Sequence, residues 1–243
     1  MKTITSMILA WFLFMSFAAT AAERALHQPD YDGVAYPSLP RVLLIGDSIS
    51  MGYTPIVQAF LTDQVNVHRP NANCGSTRTG MRDLDKWLDG KHWDMIHFNF
   101  GLHDMRFCYS NEYDNIGTPE TGYPTSETGA PRVSLKEYEQ NLRWLVKRLK
   151  STGAHLIWAS TTPLGAYYHG RDPALIPQYN AVSERVMKEE GIEMNDLYAA
   201  VVDDLSTYQG HDYTHFNRKG SQKLAEQVVD IIEKNLSENI ADQ

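Results

Sequence analysis

Arg41-Val42-Leu43-Leu44-Ile45-Gly46-Asp47-Ser48-Ile49 decides the fold. Four consecutive large aliphatic residues suit a strand buried on both faces, as the central strands of a parallel sheet are. Gly46-Asp47 ends the run and leaves Ser48 at the carboxyl edge of that strand, where ligands of open α/β sheets bind. We read the strand as Arg41 to Ser48.

Outward from it, strand-like and helix-like stretches alternate. A helix is expected from about Pro55 to Leu61, a second strand over Val65 to His68, and a third over Trp93 to Gly101. Leu135 to Lys150 carries Leu135, Tyr138, Leu142, Leu145, Val146 and Leu149 at helical spacing and stops at Gly153. A fourth strand over His155 to Ser160, a helix over Ala181 to Glu190, a short fifth strand over Ile192 to Asn195 and a last helix from Asn217 to about Leu236 complete the pattern. Strands separated by helices imply an α/β fold with a mostly parallel sheet, helices on both faces. Trp93, Trp144 and Trp158 fall in these elements and are read as packing residues.

The chain, 243 residues long, is sized for one such domain, assigned to residues 41–243. Residues 22–40, with Pro29, Gly33, Pro37 and Pro40, form an irregular lead-in. Residues 1–21 have the layout of a signal peptide: Lys2, an apolar run from Ile4 to Ala18, and the cleavage pattern Ala19-Thr20-Ala21. Export to a periplasm or to the medium is therefore expected. One stretch breaks the alternation: residues 107–133 hold Tyr109, Tyr113 and Tyr123 without any period and read as an insert overhanging the sheet edge.

The formal net charge of −8 argues against nucleic acid or an anionic membrane as the main partner. Beyond the leader no segment is apolar enough for stable membrane insertion. In an oxidising compartment the only two cysteines, Cys74 and Cys108, are expected to be bridged.

Ser48 gains meaning from Asp212-Tyr213-Thr214-His215 near the other end of the chain. A serine hydroxyl is a poor nucleophile until a base takes its proton, and an imidazole base needs a carboxylate to orient it. Asn217 fits the N-cap of the last helix and would pin the loop that bears His215. The G-x-S-x-G elbow of α/β-hydrolases lacks its last glycine here, no Walker or dinucleotide fingerprint occurs, and the His211/His215 pair lacks the glutamate of a zinc motif. No metal and no cofactor is expected.

In these motifs the chain resembles the SGNH hydrolase superfamily, the GDSL-type esterases and lipases. Gly46-Asp47-Ser48-Ile49 matches the first block, Gly75 the second, Gly101-Leu102-His103-Asp104 the third, and Asp212 with His215 the last. The resemblance implies a three-layer α/β/α sandwich with a flavodoxin-like five-stranded sheet. It also implies a catalytic triad of Ser48, His215 and Asp212, and an oxyanion hole from Ser48, Gly75 and His103. His103 stands where the family has asparagine. It either replaces that donor or is a loop histidine, with Asn73 as a substitute. Asp47 and Asp104 are expected to organise their turns at the substrate pocket, and Asn73, Tyr109 and Tyr113 to line it. A Cys74–Cys108 bridge would tie the two donor loops together. The expected reaction is cleavage of a small-molecule or glycan ester. Carbohydrate deacetylation leads, because aromatic side chains in the insert suit a sugar face. Lysophospholipase or thioesterase activity, acyl transfer, and a non-catalytic carbohydrate-binding role are the alternatives.

Overall fold

The computed structural model describes residues 38–109, 116–118 and 120–241. The signal-peptide expectation, most of the lead-in and Tyr113 lie outside these residues. Five parallel strands, β1 (Arg41–Ile45), β2 (Asn66–His68), β3 (Met95–Phe98), β6 (His155–Ala159) and β7 (Glu193–Asn195), form one sheet in the order β2-β1-β3-β6-β7. Counting only these strands, the order is 2-1-3-4-5, the doubly wound order of flavodoxin-like folds. The direction of winding reverses between β1 and β3, where Ile45 pairs with Phe98. A crevice opens at such a reversal beyond the strand ends.

Two helices, α1 (Ser48–Phe60) and α7 (Arg218–Ala241), pack on each other, and α2 (Thr77–Leu88), α3 (Leu135–Lys150) and α4 (Ile176–Glu189) pack in series. The sheet between them is closely covered: Val42, Leu44, Ile96, Phe98, Ile157 and Trp158 are fully buried. Two short helices, α5 (Ala199–Val202) and α6 (Leu205–Tyr208), lead into the loop before α7. Among the described residues no helix is long and apolar enough to cross a membrane.

Local chemistry accounts for most boundaries. α3 matches its sequence reading because Ser134 caps it, accepting from Glu137 N at 3.2 Å, and Lys147, Arg148 and Lys150 sit in its last turn. α1 begins at Ser48, seven residues before the expected start, because the Asp47 carboxylate caps it; Pro55 lies inside the helix and does not open it. The helix α2 was not expected at all. Its buried stripe, Thr77, Gly80, Leu84, Trp87 and Leu88, keeps helical spacing but opens on small residues set among charged ones, and Gly80 lets the helix approach the loop after β3: a Cβ there would meet the Phe100 ring at 2.8 Å. Trp93 and Trp158 are buried as expected, whereas Trp144 is 41% exposed, on the outer face of α3.

The insert is not an irregular excursion at its base. Phe107–Tyr109 (β4) and Gly129–Pro131 (β5) pair antiparallel. The Tyr109 hydroxyl donates to Thr121 O at 3.2 Å, and Tyr167 OH donates to Pro124 O at 2.5 Å, fastening the insert to the segment that follows β6.

Candidate active site

Asp47 Oδ1 accepts from Ile49 N at 2.9 Å, which makes Asp47 the N-cap and Ser48 the first residue of α1. The opening amides of a helix have no partner within it. Among the described residues the Ser48 N–H has none elsewhere, so it stands free beside its own hydroxyl.

Ser48 Oγ lies 2.7 Å from His215 Nε2, and His215 Nδ1 lies 2.5 Å from Asp212 Oδ2. A carboxylate only accepts, so Nδ1 carries the proton and Nε2 faces the serine as acceptor. Asp212 Oδ1 also accepts from His215 N at 2.9 Å and Thr214 N at 3.1 Å. Burial pushes the Asp212 carboxyl up, but the bonds from His215 and Thr214 outweigh it and hold the group at about 2. This loop is closed by Gly210 N donating to His215 O at 2.7 Å, and by Asn217, whose side chain accepts from Gly220 N at 3.1 Å and caps α7. The His215 side chain is 49% exposed, so the imidazole is open to solvent.

A residue the sequence reading missed holds the serine turn from behind. Arg69, 2% exposed, donates Nη2 to Gly46 O at 2.9 Å and to Asp47 O at 3.3 Å, Nη1 to Pro70 O at 2.8 Å, and Nε to Ser50 Oγ at 3.0 Å. Ser50 in turn donates to Asp47 O at 2.7 Å. That carbonyl belongs to the peptide whose N–H is that of Ser48. A buried cation and a hydroxyl therefore polarise the far end of a free donor. An arginine directly after a buried three-residue strand was the available signal.

The second expected donor is engaged. Gly75, at φ +63°, gives its N–H to Asn73 Oδ1 at 3.0 Å, so an incoming oxygen would have to displace the Asn73 side chain. His103 is half-buried, and its ring makes no hydrogen bond among the described residues. Burial, then the positive charges of Arg171, Arg132 and Arg106, push its imidazole down to about 4, against the opposing pull of Asp47. It is a neutral ring at ordinary pH, with one N–H to give.

Two candidate substrate-binding carboxylates are buried instead. Asp47 is 3% exposed and serves the α1 cap. Asp104 is fully buried; its Oδ1 accepts from Thr77 N at 2.9 Å and Thr77 Oγ1 at 2.5 Å, tying the loop after β3 to the start of α2. Asn141 Nδ2 completes the cluster on Thr77 Oγ1 at 3.0 Å. Burial pushes the Asp104 carboxyl up to about 7 despite the Thr77 bonds. Tyr109 spends its hydroxyl inside the insert. The expected Cys74–Cys108 bridge is not formed: both are buried free thiols, each donating to a carbonyl two residues back, Ala72 O and Arg106 O. Cys74 is held in place by its backbone, whose N–H donates to Gly46 O at 3.2 Å, and burial raises its thiol to about 11.

Residues 44–223 match the model of the GDSL-like lipase/acylhydrolase family. Among solved structures the chain is similar to a GDSL-like lipase from Bacteroides thetaiotaomicron, at a TM-score of 0.64 and 15% identity over 90% of this chain and 98% of that one. It is similar to the acetylxylan esterase Axe2 from Geobacillus stearothermophilus, at 0.62 and 19% over 81% and 95%, and to the acetyl xylan esterase AlAXEase, at 0.61 and 15% over 79% and 99%. No curated protein sequence matches. At these identities the structures attest the fold, a three-layer SGNH-type sandwich. The family match covers most of the chain and includes the turn of Ser48, the loops of Gly75 and His103, and the loop of His215. The chain belongs to the GDSL-like lipase/acylhydrolase family.

Proposed function

We propose that this ester hydrolase works through Ser48, His215 and Asp212 and removes acetyl groups from carbohydrate. The contact that carries the reading is the 2.7 Å approach of Ser48 Oγ to His215 Nε2, with the opposite ring nitrogen on Asp212. Ser48 Oγ attacks the ester carbonyl while His215 Nε2 takes its proton, and the oxyanion accepts from the free Ser48 N–H and the neutral His103 ring. Gly75 joins once Asn73 releases it. His215 then protonates the leaving alkoxide, and water enters by the exposed side of the imidazole to free the acid.

The acyl group and the alcohol are argued from what surrounds the triad. His169 stacks on Tyr168 at 3.7 Å and on Tyr123 at 4.2 Å, and Tyr168 meets Tyr213 edge-on at 6.4 Å. This aromatic wall runs from the insert to the triad loop and suits the apolar face of a pyranose. Two of the structurally similar proteins are named as acetylxylan esterases, which agrees with a short acyl group.

The test compares p-nitrophenyl acetate, butyrate and octanoate on the wild type and Ser48→Ala. Turnover that depends on Ser48 and falls with acyl length supports the proposal. Octanoate as the best substrate would move the reading to a lipid ester, and no Ser48-dependent turnover would leave a carbohydrate-binding protein. We extend the proposal to export, on Lys2, the apolar run and Ala19-Thr20-Ala21; a mature protein beginning near Ala22 on N-terminal sequencing would bear it out.

A further inference from the structure

We infer that the sugar substrate carries a carboxylate, a uronate, held by Arg106 and Arg171 at the rim of the site. The inference rests on the esterase reading above and specifies its substrate.

Arg106 leads into β4, and Arg171 ends the tight loop Tyr168–Arg171. The two segments are knit together: Phe107 N donates to Gly170 O at 2.7 Å and Arg106 Nε to His169 O at 2.8 Å. Arg171 Nε donates to Leu102 O at 3.2 Å, and Leu102 directly precedes His103. Each guanidinium thus spends its Nε on a carbonyl that fixes its position. Among the described residues neither has a carboxylate partner. The contrast with the rest of the surface is sharp in an acidic chain: Arg78, Arg82, Arg143, Arg148 and Arg185 all pair with Asp or Glu.

Half-buried like charges on two joined segments, near enough to repel, cost stability, and a bound anion offsets that cost. Burial, with Arg171 and Arg132 adding their repulsion, pushes Arg106 down to about 10. The Arg171 guanidinium is lowered by burial, while Asp47 and Asp212 act on it in the opposite sense. Those are the carboxylates before Ser48 and beside His215, so Arg171 lies within electrostatic reach of both sides of the reacting serine.

The same segments carry the aromatic wall. His169, whose carbonyl fixes Arg106, is the ring stacked between Tyr123 and Tyr168. A ring-shaped substrate packed against this stack places a planar carboxylate where two planar forks can receive it. A neutral xylose unit would leave both guanidinium groups unanswered.

The test uses a matched pair, O-acetylated methyl glucuronoside and its C6 amide, which differ in charge and hardly in shape. Acetate release is followed for the wild type, Arg106→Gln and Arg171→Gln. The wild type is expected to prefer the carboxylate in kcat/KM by about tenfold or more, the worth of about 1.4 kcal/mol. Each variant brings that ratio toward one, Arg171→Lys restores part of it, and about 0.5 M salt shrinks it. A wild-type ratio at or below one, or a ratio unmoved in both glutamine variants, overturns the inference. Ser48-dependent cleavage of p-nitrophenyl acetate, measured alongside, keeps the two readings apart. If it is present while the ratio is one, only the acid recognition fails; if it is absent, the esterase reading fails first.

Discussion

Replacing Arg69 by lysine keeps the charge and removes the fork. The guanidinium reaches Pro70 O, Gly46 O and Ser50 Oγ in three directions at 2.8, 2.9 and 3.0 Å. An ammonium on a shorter stem can satisfy about one of them. Hydrogen bonds to a charged donor are worth about 1.5–3 kcal/mol each, so losing two lowers stability by about 3 kcal/mol or more. Arg69→Met would lose all four of its bonds, including that to Asp47 O at 3.3 Å, a loss that rivals the total stability of a domain, so lysine is the informative change. The effect on catalysis is separable. Gly46 O and Asp47 O fix the peptide that presents the Ser48 N–H, so kcat on p-nitrophenyl acetate falls by about tenfold while KM holds, as expected for a donor weakened in the transition state. Ser50→Ala removes the hydroxyl between Arg69 Nε and Asp47 O and should lower kcat in the same direction with less loss of stability. Urea denaturation and initial rates read both quantities. An Arg69→Lys protein with wild-type midpoint and wild-type kcat would refute the reasoning.

Asp212→Asn keeps the shape of the loop but loses the charge that orients and stabilises His215, and kcat should drop by about 10⁴; a loss under tenfold would remove Asp212 from the mechanism. His103→Ala should cost about 10²-fold or more in kcat if the ring is an oxyanion donor, and His103→Asn should recover most of it; equal rates for the alanine and asparagine forms would take His103 out of the hole. Asp104 stays protonated in the folded state from its unfolded value of 3.8 up to about 7. Its contribution to stability is thus fully present below 3.8 and lost as pH rises through that window. The stability difference between wild type and Asp104→Asn should therefore shrink from pH 4 to 7, by at most about 1.4 kcal/mol per pH unit, and a difference independent of pH would contradict this state. Gly80→Ala forces a methyl against Phe100 and should destabilise by about 1–3 kcal/mol in thermal melts; an unchanged melt would mean that α2 can shift at no cost.

The parts of the fold legible in the chain were those governed by near-neighbour chemistry. The aliphatic run Val42–Ile45 could only be a buried strand, and Leu135–Lys150 combined period, cap and stop. Ser48, His215 and Asp212 were legible because each sits beside an element boundary that the sequence marks. The helix α2 was marked only by Leu84, Trp87 and Leu88 at helical spacing, because its first turns bury Thr77 and Gly80, small residues whose burial is decided by tertiary contact. Residues defined by long-range contacts were missed for the same reason: Arg69 acts on carbonyls more than twenty residues away, and Thr77 meets Asp104 across 27 positions. The carboxylates Asp47 and Asp104 were placed on the correct turns, but which way a short side chain points is decided by packing that no local pattern records.

The packing of α1 on α7 has a consequence for how the chemistry is kept in register. Ser48 opens the first of these helices, and His215 lies two residues before the cap of the second. They meet tightly at Gly52, where a Cβ would lie 3.3 Å from the Ser221 hydroxyl. The proton transfer proposed between residues 167 positions apart would thus depend on two rods lying flush along one narrow seam. Bulk introduced at Gly52 would wedge the rods apart at their reactive tips while the sheet stayed intact, silencing the enzyme well before it unfolds.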